Sequence, residues 1–266
     1  MSGEIENIRK RGIVVETAVD ANRILGLINK LKPIQTQYEL MRVGHDREGG
    51  YLIPDDIVGI ATCFSACSSI DSSVAFEQDL HESFGINSHL VNFSMEEVPG
   101  YITPLSFIPK FLGPTNNNTD ITLDSWVKET VEYEYCGVHQ LMLKLDCEGK
   151  EYGAILSSSE EILKQFRIIV LKLTDVDKWG HPSFFKIVED FTNKLLQHFN
   201  VVHIHPDNKG IIKNINGIDL PETIEITFLS KKRCKVLGYV NSLPDELDKP
   251  CNPDLVDIAL PDIWYK

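Results

Sequence analysis

Apolar positions recur along this 266-residue chain with two periods. Val19, Ile24, Leu25, Leu27, Ile28 and Leu31 keep close to helical spacing until Pro33, which predicts an amphipathic leading helix. "YELMRVGHDREGGYLIP" (38–54) then reads as two short extended runs around Gly49-Gly50, a tight turn or hairpin. Beyond it, strand-like runs lie at "GIATCFS" (59–65), "SHLVNFS" (88–94), "HQLMLKLD" (139–146), "FRIIVLKL" (166–173), "NVVHIHP" (200–206) and "TIEITFLS" (223–230). Helical patterns separate them: Phe76, Leu80 and Phe84 at i, i+4, i+8; "LDSWVKETVEY" with Asp124 as its cap; "EYGAILSSSEEILKQ"; and "PSFFKIVEDFTNKLLQHF". Strands alternating with helices imply crossover connections, hence an α/β protein with a mostly parallel sheet covered on both faces.

Two segments break the alternation. "VPGYITPLSFIPKFLGPTNNNTD" (98–120) carries four prolines and no clear period, the profile of a lid or binding loop. The Pro- and Asp-rich end, 241–266, reads as an extended strap. The expected organisation is therefore a helical extension over 1–40, an α/β domain over 41–240 and an extended tail over 241–266.

Charge narrows the partners. With 26 Lys and Arg against 39 Asp and Glu, the net charge of −13 repels a polyphosphate backbone, so nucleic acid is disfavoured. The six cysteines are scattered through a chain large enough to need no disulfide framework, which fits reduced thiols. The first twenty residues carry charges throughout, and no run approaches the ~20 apolar residues of a membrane span. A cytoplasmic protein is expected, with a homo-oligomer an allowed state and not a required one.

In open α/β sheets ligands sit outside the carboxyl ends of the strands, so those ends are where chemistry is sought. "CFSACSSIDSSVAFE" follows the first core strand without a glycine, and no G-x-G-x-x-G occurs anywhere, which disfavours a nicotinamide dehydrogenase. Asn92 ends the next strand, where an acid would bind ribose hydroxyls; its amide oxygen can accept one hydrogen bond without charge. "KLDCEGKEY" delivers Asp146 and Glu148 around Cys147, with Gly149 suited to a positive φ. These carboxylates could hold a cation, accept a proton from a substrate hydroxyl, or cap the following helix. His203 and His205 share one strand face, either as metal ligands, as a base with its partner, or as buried hydrogen-bonded histidines. Asp175 and Asp177 follow another strand end, and Asp146 with Asp175 is the candidate pair for a divalent metal. Paired zinc knuckles, a G-x-S-x-G elbow and a phosphate loop are absent.

Taken in order, "RVGHDREGGYLIP", "CFSACSSIDSSVAFEQDL", "NFSMEEVP", "TDITLDSWV", "LMLKLDCEGKEYGAIL", "FRIIVLKLTD", "VVHIHPDN" and "IEITFL" resemble the FkbM-like branch of S-adenosylmethionine-dependent methyltransferases, of the bacterial surface-glycan type. The resemblance runs from about Arg42 to the C-terminus. It implies a Rossmann-like methyltransferase fold, a seven-stranded sheet whose last strand is antiparallel, and O-methylation of a sugar hydroxyl on a glycan or nucleotide-sugar. By matching position it puts Gly49, Gly50 and Tyr51 in the entry segment near the cofactor, Ser65 and Glu77 beside the first cofactor turn, and Asn92 at the ribose. Asp146 and Glu148 fall at the methionine end and reaction centre, as base or cation ligand, with His203 or His205 as the second candidate base. The chain departs from the family's pattern at Ala66-Cys67, at Asn92, at Lys172-Leu173-Thr174 in place of Glu-x-His, and at "HPDN". Those departures motivate a second expectation: a methyltransferase-like protein that binds a glycan, nucleotide-sugar or partner enzyme without catalysis.

Overall fold

The computed structural model describes residues 6, 10–11, 16–67, 74–95, 97–98, 104–130 and 139–266. Most of the glycine-free turn after the first core strand, the start of the proline-rich loop and the end of "LDSWVKETVEY" lie outside them. Helix α1 (Ala21–Leu31) starts at Asp20, whose carboxylate accepts the Asn22 amide at 2.9 Å, and it buries Ile24, Leu27, Ile28 and Leu31. Strand β1 (Ile34–Gln35) follows, and then the antiparallel pair β2 (Leu40–Val43) and β3 (Tyr51–Pro54). The hairpin is as expected, but its connection is the whole of 44–50. Gly44 (φ +93°) and Gly50 approach the opposite backbone so closely that an added Cβ would meet the Gly49 oxygen at 2.2 Å and the His45 oxygen at 1.8 Å.

The central run is β4 (Thr62–Cys67), α2 (Ala75–Phe84), β5 (Ser88–Val91), β6 (Ser106–Ile108), β7 (Phe111–Leu112), β8 (Asp120–Ile121), α3 (Leu123–Thr130) and β9 (Leu141–Asp146). It continues through α4 (Glu151–Ser157), α5 (Glu160–Leu163), β10 (Phe166–Leu173), α6 (Pro182–His198), β11 (Phe199–Pro206), β12 (Ile212–Ile215), β13 (Ile218–Pro221) and β14 (Ile224–Ser230), and β15 (Gly238–Tyr239) pairs back onto β1. Seven strands form one sheet in the order β6-β5-β4-β9-β10-β14-β11. All neighbours are parallel except β14, the last in chain order, which runs antiparallel between β10 and β11.

Three local expectations are corrected. The proline-rich stretch is not one loop: its described part supplies β6, the sheet's edge strand, and the small β7–β8 pair, strands too short to show alternation in sequence. "EYGAILSSSEEILKQ" is two helices, because Ser158 is extended and the Ser159 hydroxyl accepts the Ile162 amide, starting α5 afresh. Asp124 does not cap its own helix; the Thr122 hydroxyl accepts the Ser125 amide, while Asp124 accepts the Ser159 amide at 2.8 Å and ties α3 to the start of α5.

Strand alternation divides the interior. Leu141, Leu143 and Leu145 of β9, with Ile169, Leu171 and Leu173 of β10, face the larger core, which is closed by α1, α3, α4, α5 and α6 and by Trp264 of the tail. Met142, Ile168 and Val170 face the opposite side, under α2 and the β2–β3 hairpin. Toward the carboxyl ends of the strands this second face changes from apolar to charged.

Candidate functional site

On the hairpin side, two polar rows cross the sheet. The inner row is Ser65, Lys144, Val170, Thr227 and His203, in direct register from β4 to β11. The outer row begins with Cys67 opposite Asp146 and ends with Lys172 opposite Glu225 opposite His205. A one-residue bulge between Val201 and His203 turns both histidines onto this face. β4 and β9 are the adjacent strands at which the chain order reverses, so Cys67 and Asp146 mark the crevice where an open α/β sheet receives its ligand.

Ion pairs hold the floor of this crevice. Lys144 meets Glu77 of α2 at 3.0 Å with both side chains buried, and Ser65 donates to the same carboxylate oxygen. The other oxygen of Glu77 is buried and has no hydrogen-bond partner among the described residues. Burial opposes the charge on Lys144, but Cys67, Glu77 and Asp146 outweigh it and raise its pKa. Asp146 is partly exposed, and its carboxylate accepts the Tyr51 hydroxyl at 3.2 Å. Next to it, Lys172 bonds Asp207 at 2.8 Å and Glu48 at 3.4 Å, and Lys209 also reaches Glu48. Burial again works against the ammonium of Lys172, while Asp146, Glu225 and Asp207 hold it charged. Glu225 carries the reverse balance: burial pushes its pKa up to about 8, against the attraction of Lys172.

The expected residues separate into those that converge and those that do not. Ser65, Glu77, Tyr51 and Asp146 gather at the switch point, and Gly49 and Gly50 lie buried in the loop that carries Tyr51 and Glu48. Glu148 sits exposed at φ +51° beside Gly149 at +94°, in a turn held by the neighbouring Glu151. The Glu151 carboxylate accepts the Cys147 and Gly149 amides; burial raises its pKa to about 7 despite those bonds. Asn92 uses its amide oxygen on its own turn, accepting the Ser94 amide at 2.8 Å and the Met95 amide at 3.2 Å. His203 and His205 are bound by the tail, at 3.0 Å from Asp248 and 3.2 Å from Asp257. Asp175 pairs with Lys178 at 2.6 Å, and among the described residues no group of three or more His, Cys, Asp or Glu is placed to hold a metal ion.

Sequence reasoning missed the two buried lysines and Glu151. The lysines left a signal, since Lys144 and Lys172 each interrupt an apolar strand and Lys144 shares the parity of Asp146. No family model, curated protein or solved structure matches the chain.

The acceptors left at this point are carboxylate oxygens, which suit a cationic or hydroxyl-bearing ligand. Asp146 offers a partly exposed carboxylate, and Glu77 a buried oxygen without a partner among the described residues. Beside Glu77, a cavity of about 10 Å³, the room of roughly one water, is lined by Ser65, Cys67, Leu90, Asn92 and Met95.

Proposed function

We propose that the chain is an S-adenosylmethionine-dependent O-methyltransferase acting on a sugar hydroxyl of a glycan or nucleotide-sugar. The observation that carries the reading is the sheet. Strands β4, β5, β6, β9, β10 and β11 take the order of a doubly wound dinucleotide fold, with an antiparallel β14 inserted next to the last. That arrangement agrees with the Rossmann-like methyltransferase fold implied by the eight resembling segments. Asp146 then lies at the switch point, where a carboxylate can hold the cofactor's amino group, and Glu77, Ser65 and Asn92 line the neighbouring cavity. When bound, the cofactor supplies an electrophilic methyl group. The protein's part is to hold the sugar oxygen in line, exclude water, and accept the hydroxyl proton at a carboxylate: the exposed Glu148 while Asp146 holds the amino group, or Asp146 where another group holds it. His203 and His205 are second choices for that role, because each is already committed to a tail carboxylate.

A second reading, a methyltransferase-like protein that binds a glycan, nucleotide-sugar or partner enzyme without catalysis, draws on the small cavity and on the local use of the Asn92 oxygen. Calorimetric titration with S-adenosylmethionine and S-adenosylhomocysteine, with and without Mg²⁺, separates the two. Micromolar binding supports the enzyme, and no binding at millimolar cofactor supports the second reading. For the enzyme, Asp146→Asn abolishes methyl transfer to a nucleotide-sugar acceptor while the protein stays folded; unchanged turnover removes Asp146 from the mechanism.

A further inference from the structure

Tyr51 packs its ring into the site and presents its hydroxyl to Asp146. Its ring is closed in on two sides: Phe76 meets it edge-on at 5.7 Å between centroids, with 81° between planes, and the Lys144 ammonium lies 5.6 Å from its centre. Its backbone is fixed by pairing with Val43, just after the buried Gly49-Gly50 turn. Within that packing the hydroxyl reaches the Asp146 carboxylate at 3.2 Å. Burial, then the carboxylates of Asp146 and Glu225, keep the phenol well above its ordinary pKa, so it remains a protonated donor. A carboxylate at the end of a strand can turn about its side-chain bonds, and a rigid aromatic donor on one oxygen removes that freedom.

We propose that Tyr51 is a positioning residue, which by bonding one oxygen of Asp146 orients the carboxylate to receive the cationic amino group of the bound cofactor. This rests on the methyltransferase reading and assigns a role within it: Tyr51 acts through Asp146 and is not itself a contact of the methyl or the nucleoside. The ligand chemistry at this point is that of an α-amino acid terminus, recognised by charge and direction together.

The test is a double-mutant cycle read in ligand affinity. Wild type, Tyr51→Phe, Asp146→Asn and the double variant are titrated with S-adenosylhomocysteine, which has the amino-acid end, and with methylthioadenosine, which lacks it. Tyr51→Phe keeps the packed ring and removes only the hydroxyl, so urea midpoints of all four proteins report whether folding is intact. The expected result is that Tyr51→Phe weakens S-adenosylhomocysteine roughly tenfold, as for the loss of one bond to a charged group. The same change makes no further difference in the Asp146→Asn background, and methylthioadenosine binds all four proteins alike. Unaltered binding by Tyr51→Phe, losses that multiply in the double variant, or an equal loss for methylthioadenosine overturns the positioning role. If wild type binds neither compound, the methyltransferase reading fails and this role falls with it, an outcome distinct from failure of the cycle in a protein that binds.

Discussion

Replacing Lys144 by methionine tests the physics of the crevice floor most directly. The ammonium sits 3.0 Å from Glu77, with the two side chains 2% and 3% exposed, so water does not screen the pair. Removing one partner leaves the other charge buried, which costs about 3–5 kcal/mol. The rings of Tyr51 and Phe76, 5.6 and 5.8 Å from the same ammonium, lose a favourable contact at the same step. For a chain of this size each kcal/mol moves the melting temperature by about 2–4 °C, so Lys144→Met lowers it by roughly 10 °C. Glu77→Met leaves Lys144 charged and loses a similar amount. The double variant Lys144→Met with Glu77→Met replaces two buried charges by apolar volume and recovers most of the loss. Urea unfolding with linear extrapolation measures all four corners of this cycle. The reasoning is refuted if Lys144→Met costs less than about 1 kcal/mol, or if the double variant loses the sum of the single losses.

Two further outcomes follow from burial. Glu225 and Glu151 have pKa values raised to about 8 and about 7 in the folded protein, so the native state holds protons that the unfolded chain has released. Stability attributable to these groups is therefore present below the ordinary carboxylate pKa of 4.5 and declines as pH rises through about 7 and then about 8, by at most about 1.4 kcal/mol per unit for each group. Urea midpoints between pH 5 and 9 should fall, and less steeply in Glu225→Gln; a flat or rising profile contradicts the assignment. In the larger core, Trp264 is fully buried with its ring 6.0 Å from that of Trp179, so Trp264→Ala should cost about 3–5 kcal/mol in the same assay. A loss below about 1 kcal/mol would mean that the tail is not part of the core.

Much of the fold was legible because periodicity is a local property. "FRIIVLKL" is β10 to the residue, and the remaining five strand-like runs fall on observed strands with no end shifted by more than three residues. The β12–β13 hairpin was also legible but went unread: Asn216-Gly217, at φ +52° and +87°, is the residue pair such turns favour. Edge strand β6 was hidden, because three residues beside prolines show no alternation.

The site divides along the same line. That Asp146 ends a strand, that Gly149 turns it, and that His203 and His205 share a face are consequences of chain-local geometry, and the sequence by itself determined them. Only the tertiary structure decided that Cys67 and Asp146 stand side by side, that β14 brings Glu225 between Lys172 and His205, and that Asp248 and Asp257 return 45 and 52 residues later to occupy the two histidines. A strand's pattern states which face a residue takes but carries no information on which strand lies alongside. That choice is made when the whole chain closes around its two cores, and buried charges then settle against whichever opposite charges the closure has brought within reach.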